Sequence, residues 1–494
     1  MRRVGVVIGT ATSYPTAPFD PPEAFPELEG TLVQPSRLDV NNCVYRAVRE
    51  SLARFLAIPE PYTREELLRG LRNISPGAKS ILVKPNWVAH DPRNRSSLTT
   101  HGSVLRVVID MMVAAFGPEV RIVVADIPIQ SAKLDVVWRQ TGVDALISHY
   151  RNVGANVEFA DFRRELMEID ESGFQLARHQ LPGDPRGYIK VDLGDKSWLE
   201  EITNPKAVFS VSDYEPGLAS CHHQSGSHSY LISRTALEAD LFINVPKLKT
   251  HHKAGFTCCM KNLVGVNGEK GWIPHFREGA PASGGDEYPD DVRVVMGLKK
   301  AVKRVLQGRS RLAFNFVKRV WLHLKSAEKT VGAGRLTDGG AWPGNDTIWR
   351  VVLDLVHVLE STDRTGKFSS DAHRKILCIV DGIVCGEGDG PLEAEPRPAG
   401  VAITSDNMIA ADLVAAHIAG FDRAHLPQLL EARRVLERVE GRLLAECVGV
   451  SWSGDKALSP IEALPKINLL PPRLWRHQFD QGAKARDRAD QVVG

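Results

Sequence analysis

The sequence predicts an α/β fold: a mostly parallel β-sheet with helices on both faces, plus a basic helical insertion. Three observations predict it. Six short β-branched runs are apolar almost without interruption, which suits strands buried on both faces. Helical apolar spacing separates several of them. Turn residues bracket both kinds of segment, so strands and helices alternate as they do in parallel sheets with crossover connections.

The strand-like runs are SILVKPN (80–86), VRIVVADIP (120–128), KAVFSVSD (206–213), ADLFINVPK (239–247), KILCIVDGI (375–383) and GVAITSDN (400–407). Among the helical patterns, SVLRVVIDMMVAAFG (103–117) closes on a glycine and DTIWRVVLDLVHVLEST (346–362) leads into a strand. DNMIAADLVAAHIAGF (406–421) opens on Asp406, a residue type that caps helices. Residues 13–40 and 280–292 are rich in Pro, Gly and acidic residues and read as loops. Residues 162–200 read as a β-hairpin insertion turning at LPGDPRG (181–187). The chain divides into an N-terminal strand, loop and helices (1–75), a first α/β part (76–279), the basic insertion (280–345), a second α/β part (346–475) and a charged tail (476–494).

Composition narrows the partners. The 494 residues carry 62 Lys and Arg against 60 Asp and Glu, a net charge of +2, so bulk charge points to neither nucleic acid nor membrane. The apolar run at the N-terminus, Val4 to Ile8, is too short for a signal-peptide core, and no stretch approaches a membrane span. A cytoplasmic location is expected. Seven cysteines, an odd number with no C-x-x-C, argue against a disulfide framework and against a four-cysteine zinc site or a ferredoxin-type cluster built from local spacing. Cys258 and Cys259 are neighbours, and adjacent side chains are not expected to converge on one metal.

One segment is locally extreme. From Val292 to Ala327 there are ten Lys or Arg and no Asp or Glu, and residues 298–325 mix this charge with Leu, Val, Phe and Trp at helical spacing. The segment reads either as a helix pair packed on the domain with a solvated basic face, or as a basic lid or a peripheral membrane contact.

The chemistry gathers at strand ends. Five apolar runs end in Lys84-Pro85-Asn86, Asp126, Asn244-Val245-Pro246-Lys247-Leu248-Lys249-Thr250-His251, Asp381 and Ser405-Asp406. In open parallel sheets, ligands bind in the crevice outside the carboxyl ends of the strands. Lys247, Lys249, Lys261 and Lys270 fall within 24 residues, and an anion would relieve their mutual repulsion. His251 lies among them, either a proton carrier or metal ligand or a hydrogen-bonded structural histidine. His275 joins the cationic region. Thr99, Thr100 and His101 stand at a helix start, where backbone N–H groups favour an anion. The run DGIVCGEGDGP (381–391) reads as a glycine-rich loop whose Asp381, Glu387 and Asp389 suit a divalent metal ion held together with substrate oxygens, or as an acidic surface turn. His222, His223 and His228 have no diagnostic metal-ligand spacing.

The ordered elements KPN, NVPKLKTH…KNLVG…K…H, DGI…GEGDGP and SD…AADLVAA resemble the family known as domain of unknown function 362, over residues 75–425, and GNDTIWRVVLDL (344–355) is similar to a longer subgroup. The resemblance implies a site at Lys84, Asn86, Asn244, Lys247, Lys249, His251, Lys261, Asn262, Asp381, Glu387, Asp389 and Asp406, without assigning roles. Some relatives carry ferredoxin-like iron–sulfur modules. This chain lacks the closely spaced cysteines of such modules, so direct electron transfer through an iron–sulfur cluster is disfavoured.

The leading expectation is an enzyme acting on an anionic small molecule. His251, Lys249 and Lys261 are its catalytic candidates. Lys84, Asn86, Asn244, Lys247, Asn262, Lys270, His275 and Asp406 are substrate-binding candidates. Asp381, Glu387 and Asp389 are the metal ligands. The alternatives are a redox protein that draws Cys258, Cys259 or Cys385 together with His251, and a non-catalytic binder of an anion or a membrane surface.

Overall fold

The structure, a computed structural model, describes residues 2–58, 61–169, 175–212, 214, 216–292, 339–369, 373–432, 434, 448–453 and 458–479. Most of the basic insertion, including 298–325, and nearly all of the tail lie outside the described residues. Among the described residues no helix is long and apolar enough to cross a membrane.

From the N-terminus the strands are β1 (Arg2–Val7), β2 (Ser80–Pro85), β3 (Arg121–Asp126), β4 (Val157–Asp161), β5 (Glu165–Ile169), β6 (Gln175–Gln180), β7 (Tyr188–Asp192), β8 (Phe209–Ser210), β9 (His223–Gln224), β10 (Ser227–Ser233), β11 (Leu241–Val245), β12 (Lys247–His251), β13 (Gly255–Thr257), β14 (Phe276–Arg277), β15 (Lys375–Asp389), β16 (Glu393–Ser405) and β17 (Val448–Trp452). The helices are α1 (Cys43–Phe55), α2 (Arg64–Ile74), α3 (Gly102–Phe116), α4 (Leu134–Thr141), α5 (Val143–Asn152), α6 (Arg234–Glu238), α7 (Cys259–Asn262), α8 (Ile348–Ser361), α9 (Met408–Ala419) and α10 (Pro427–Leu430).

The central sheet runs in the order β17-β1-β16-β15-β11-β2-β3-β4, with β12 added beside β15 and β13 beside β12. Every pairing along this path is parallel except those of β16, which lies antiparallel to both β1 and β15. Side chains alternate across it. Ile81, Val83, Ile122, Val124 and Ile243 pack with α1–α5, whereas Leu82, Val123, Phe242 and Val380 face α8 and α9. Burial on both sides explains why the runs are apolar throughout. The fold is thus the α/β class that the sequence predicts.

Local departures have physical causes. KAVFSVSD forms only the two-residue β8, which pairs with β14 outside the main sheet. The hairpin expected within 162–200 exists as β5 and β6, but LPGDPRG connects β6 to β7, and β7 pairs with β10. Asn407 caps α9, its side chain accepting from Ala410 N, in place of Asp406. The run 381–389 is strand, not loop. It is the outer half of β15, paired with β16 from Asp381↔Ala402 to Asp389↔Glu393.

Candidate functional site

Register brings four strand ends together. Asn244 on β11 stands opposite Lys84 on β2 and Cys378 on β15, and Lys247 on β12 stands opposite Asp381. β2 and β3 pair up to Val83↔Val124, so Asp126 ends its strand beside Lys84. The fifth predicted end does not join them. β16 is antiparallel, so its chain runs away from the carboxyl edge: Ser405 pairs with Cys378 in the row of Asn244 and Lys84, and Asp406 is the next residue beyond that row. There Asp406 is exposed and 3.5 Å from Arg2. Among the described residues Asp406 pairs with Arg2 and with none of the lysines of the cluster.

The floor of the cluster is a buried polar network. Lys84 Nζ lies 2.6 Å from Asp126 Oδ1 and also donates to the Pro85 carbonyl and to Asn262 Oδ1. Burial pulls the Lys84 ammonium below its ordinary value, and Asp126 opposes that pull. Asp126 also accepts from the Trp87 and Ile127 backbone N–H groups. Asn262 Nδ2 donates to Asn244 Oδ1 at 2.7 Å, Asn244 Nδ2 to the Cys259 carbonyl, and Asn86 Nδ2 to Asn262 Oδ1 at 3.0 Å. Gly265 closes over this network, and a Cβ there would collide with Asp126 Oδ1 and Lys84 Nζ.

A second pair lies beside it. Asp381 accepts from Tyr14 OH at 2.6 Å, from the His101 backbone N–H at 3.0 Å and from Lys247 Nζ at 3.3 Å. The anion expected at the start of α3 is thus Asp381 itself. Tyr14 also accepts from Lys247 Nζ and stacks on His101, ring centroids 3.9 Å apart. The proposed metal triad does not assemble. Glu387 accepts from Leu470 N, and Asp389 pairs with Arg473 at the protein surface. The reason is extension. Six residues of strand separate Asp381 from Glu387, about 20 Å at ~3.3 Å per residue.

The remaining cations have no carboxylate. Among the described residues, Lys249, Lys261 and Lys270 form no ion pair. Lys249 Nζ donates to Asn86 Oδ1 and the Leu98 carbonyl, and Lys270 Nζ to the Val264 carbonyl. Burial and the neighbouring Lys247 and Lys261 hold Lys249 well below the ordinary lysine range. Burial, reinforced by Lys253, brings Lys261 down to about 7, and burial does the same to Lys270 against the pull of Asp126.

Two imidazoles border these lysines. Burial first, then Lys261, keeps His251 neutral, and burial with Lys253 and Lys261 does so for His275. His251 Nδ1 accepts from Lys253 N at 3.0 Å, so its proton sits on Nε2. His275 Nδ1 is 2.9 Å from the Ile273 carbonyl, so it donates there and leaves a lone pair on Nε2. The chain reaches this geometry through the β12–β13 hairpin. Gly255 there has φ +78°, and a Cβ would strike Leu426.

Sequence reading missed Tyr14, which lies in a proline-rich stretch with no motif, and the structural use of His101. It also missed a thiol cluster on the other side of Asn244. Cys258 and Cys259 Sγ are 4.0 Å apart, and with an oxygen of Asp412 they form a group whose ligand atoms all lie within 4.8 Å of one another. His222, His223 and His228 form no such group among the described residues. His222 stacks on Trp272, His223 Nε2 meets the Trp272 carbonyl, and His228 Nε2 pairs with Glu200.

Comparison with known proteins adds three findings. The family described as "Domain of unknown function (DUF362)" matches residues 81–181 and 190–417. A thylakoid-associated protein of Synechocystis sp. is 24% identical over 255 residues, 49% of this chain and 55% of that protein, so the chain spans about half the length of this relative. The lactate racemase apoprotein of Thermoanaerobacterium thermosaccharolyticum superposes with a TM-score of 0.29 and 10% identity, covering 76% of this chain and 55% of that one.

Proposed function

Because the chain belongs to the domain of unknown function 362 family, whose description assigns no reaction, we propose its activity from the site. The protein is an enzyme that binds a small carboxylate- or phosphate-bearing molecule at the carboxyl edge of the sheet and moves a proton there. One observation carries this reading. Lys261 is half-buried, has no hydrogen-bond acceptor among the described residues, and its ammonium is disfavoured by burial and by Lys253. A bound anion would supply what this group lacks.

In this reading Lys249, Lys261 and Lys270 receive the anionic group and stabilise negative charge that develops in the reaction. His251 offers an N–H at Nε2 and His275 a lone pair at Nε2, so a neutral donor and a neutral base stand in the same cationic surroundings. Lys261 and Lys270, brought to about 7, can themselves give or take a proton near neutrality. Lys84 with Asp126, Lys247 with Asp381, and the three asparagines Asn86, Asn244 and Asn262 position these groups. A metal on Asp381, Glu387 and Asp389 has no part in it.

The test is anion binding as a function of pH, by calorimetry, with inorganic phosphate, acetate and malonate as probes. Binding should need Lys261 protonated, so affinity for the best probe should fall about tenfold between pH 6 and pH 8 as a group with a pKa of about 7 loses its proton. In Lys261→Met the affinity should be at least tenfold weaker at pH 6, and its remaining fall towards pH 8 should be only that due to Lys270. Equal binding in the two proteins would reject the reading.

A further inference from the structure

We propose that Cys258, Cys259 and Asp412 hold one zinc ion, with Cys378 beside them as the fourth donor. The two sulfurs are 4.0 Å apart, and both lie within 4.8 Å of an Asp412 oxygen. Donors at about 2.3 Å in a tetrahedron stand roughly 3.8 Å from each other, so the spacing suits a single ion. Cys378, on β15, adjoins Cys259, with its sulfur outside the group of three whose ligand atoms lie within 4.8 Å of one another. All four side chains are buried: Cys258 is 1% exposed, Cys259 and Cys378 0%, and Asp412 2%.

Adjacent cysteines converge because the chain changes conformation between them. Cys258 leaves β13 with φ −149° and ψ −138°, and Cys259 begins α7. In a continuous strand the two would point to opposite faces. Asp412, on α9, is fixed by the backbone N–H groups of Cys259 at 2.6 Å and Met260 at 3.1 Å. Those two bonds leave lone pairs on its oxygens, and no Lys, Arg or His among the described residues pairs with it. A buried carboxylate among thiols without a counter-charge is a site that a cation completes. Thiolate donors call for a thiophilic ion, and the oxygen donor favours zinc over copper(I), which prefers sulfur alone.

The proton balance is explicit. Zn²⁺ displaces the thiol protons of Cys258 and Cys259 to solvent, together with whatever proton Asp412 carries, and Cys378 coordinates as thiol or thiolate. The ion would anchor the first residues of α7, whose last residues are Lys261 and Asn262. It would therefore position the proposed anion site without touching the substrate.

The experiment uses the full chain, made without a metal-affinity tag and freed of metal, then titrated with ZnCl₂ and separately with CoCl₂. One equivalent of zinc should bind with release of about two protons or more, and cobalt should give thiolate-to-metal charge-transfer absorption. Cys259→Ser and Asp412→Asn should weaken zinc binding tenfold or more. Cys385→Ser, a buried cysteine outside the group, should leave it unchanged. The cobalt spectrum of the unmutated protein needs no variant to fold. Absence of thiolate absorption, or zinc binding that Cys385→Ser loses and Cys259→Ser keeps, would overturn the assignment.

Discussion

Lys261 should make stability depend on pH in the direction opposite to an ordinary paired lysine. Its folded pKa is about 7, lowered from 10.5 by burial first. Between these values the unfolded chain binds the proton and the folded chain does not, so stability rises with pH across that window. The destabilisation is fully present below pH 7 and gone by about pH 10.5. Replacing Lys261 by Met should therefore stabilise the protein at pH 7, by on the order of 2 kcal/mol, with the gain vanishing towards pH 10.5. Chemical denaturation at several pH values reads this directly. At the buried Lys84–Asp126 pair, by contrast, substitution should destabilise. Asp126→Ala leaves an uncompensated ammonium and should cost about 3–5 kcal/mol at pH 7. Most individual site candidates were legible, because a lysine, asparagine or histidine after an apolar run has few reasons to be there. Tyr14 was not. Its partners Lys247 and Asp381 lie more than 230 residues away in sequence, and nothing local marks the contact.

Elements show where local chemistry misleads. The glycines of DGIVCGEGDGP read as a loop, yet Gly386 sits in β15 because a Cβ would meet Lys249 Cβ and the Ser97 carbonyl. The glycine is there for close approach, and the partner strand β16 overrides the local preference. Gly265 gives the sharper test. Gly265→Ala should displace the Lys84–Asp126 pair, lowering both the melting temperature and the anion affinity, whereas Gly9→Ala, at a positive φ with open space, should affect stability alone. At α9 the expected cap was wrong by one residue. Asp406 and Asn407 are both good caps, and only the position of the first helical N–H groups decides between them. Asn407→Ala should cost about 1 kcal/mol, and Asp406→Ala much less, in the same denaturation assay.

At the scale of the whole molecule, the α/β class and the gathering of strand ends at one edge were readable from apolar runs and the residues that follow them. Strand direction was not. Nothing in GVAITSDN distinguishes a parallel strand from an antiparallel one buried on both faces, and that single reversal carries the chain after Ser405 away from the carboxyl edge. β1 lies between β16 and β17 in the sheet. Val4 of β1 pairs with Ser405 on one side and Val450 on the other. From Val7 to Glu393, where β16 begins, 386 residues must be made first. At roughly 5–20 residues per second, β1 leaves the ribosome about 20–80 seconds before either neighbour exists. Throughout that interval Val4 and Val6 and an open backbone edge face other nascent chains. Birth of this protein is thus a wait for β16, and any pause in translation before Glu393 lengthens the time in which β1 can pair with a stranger.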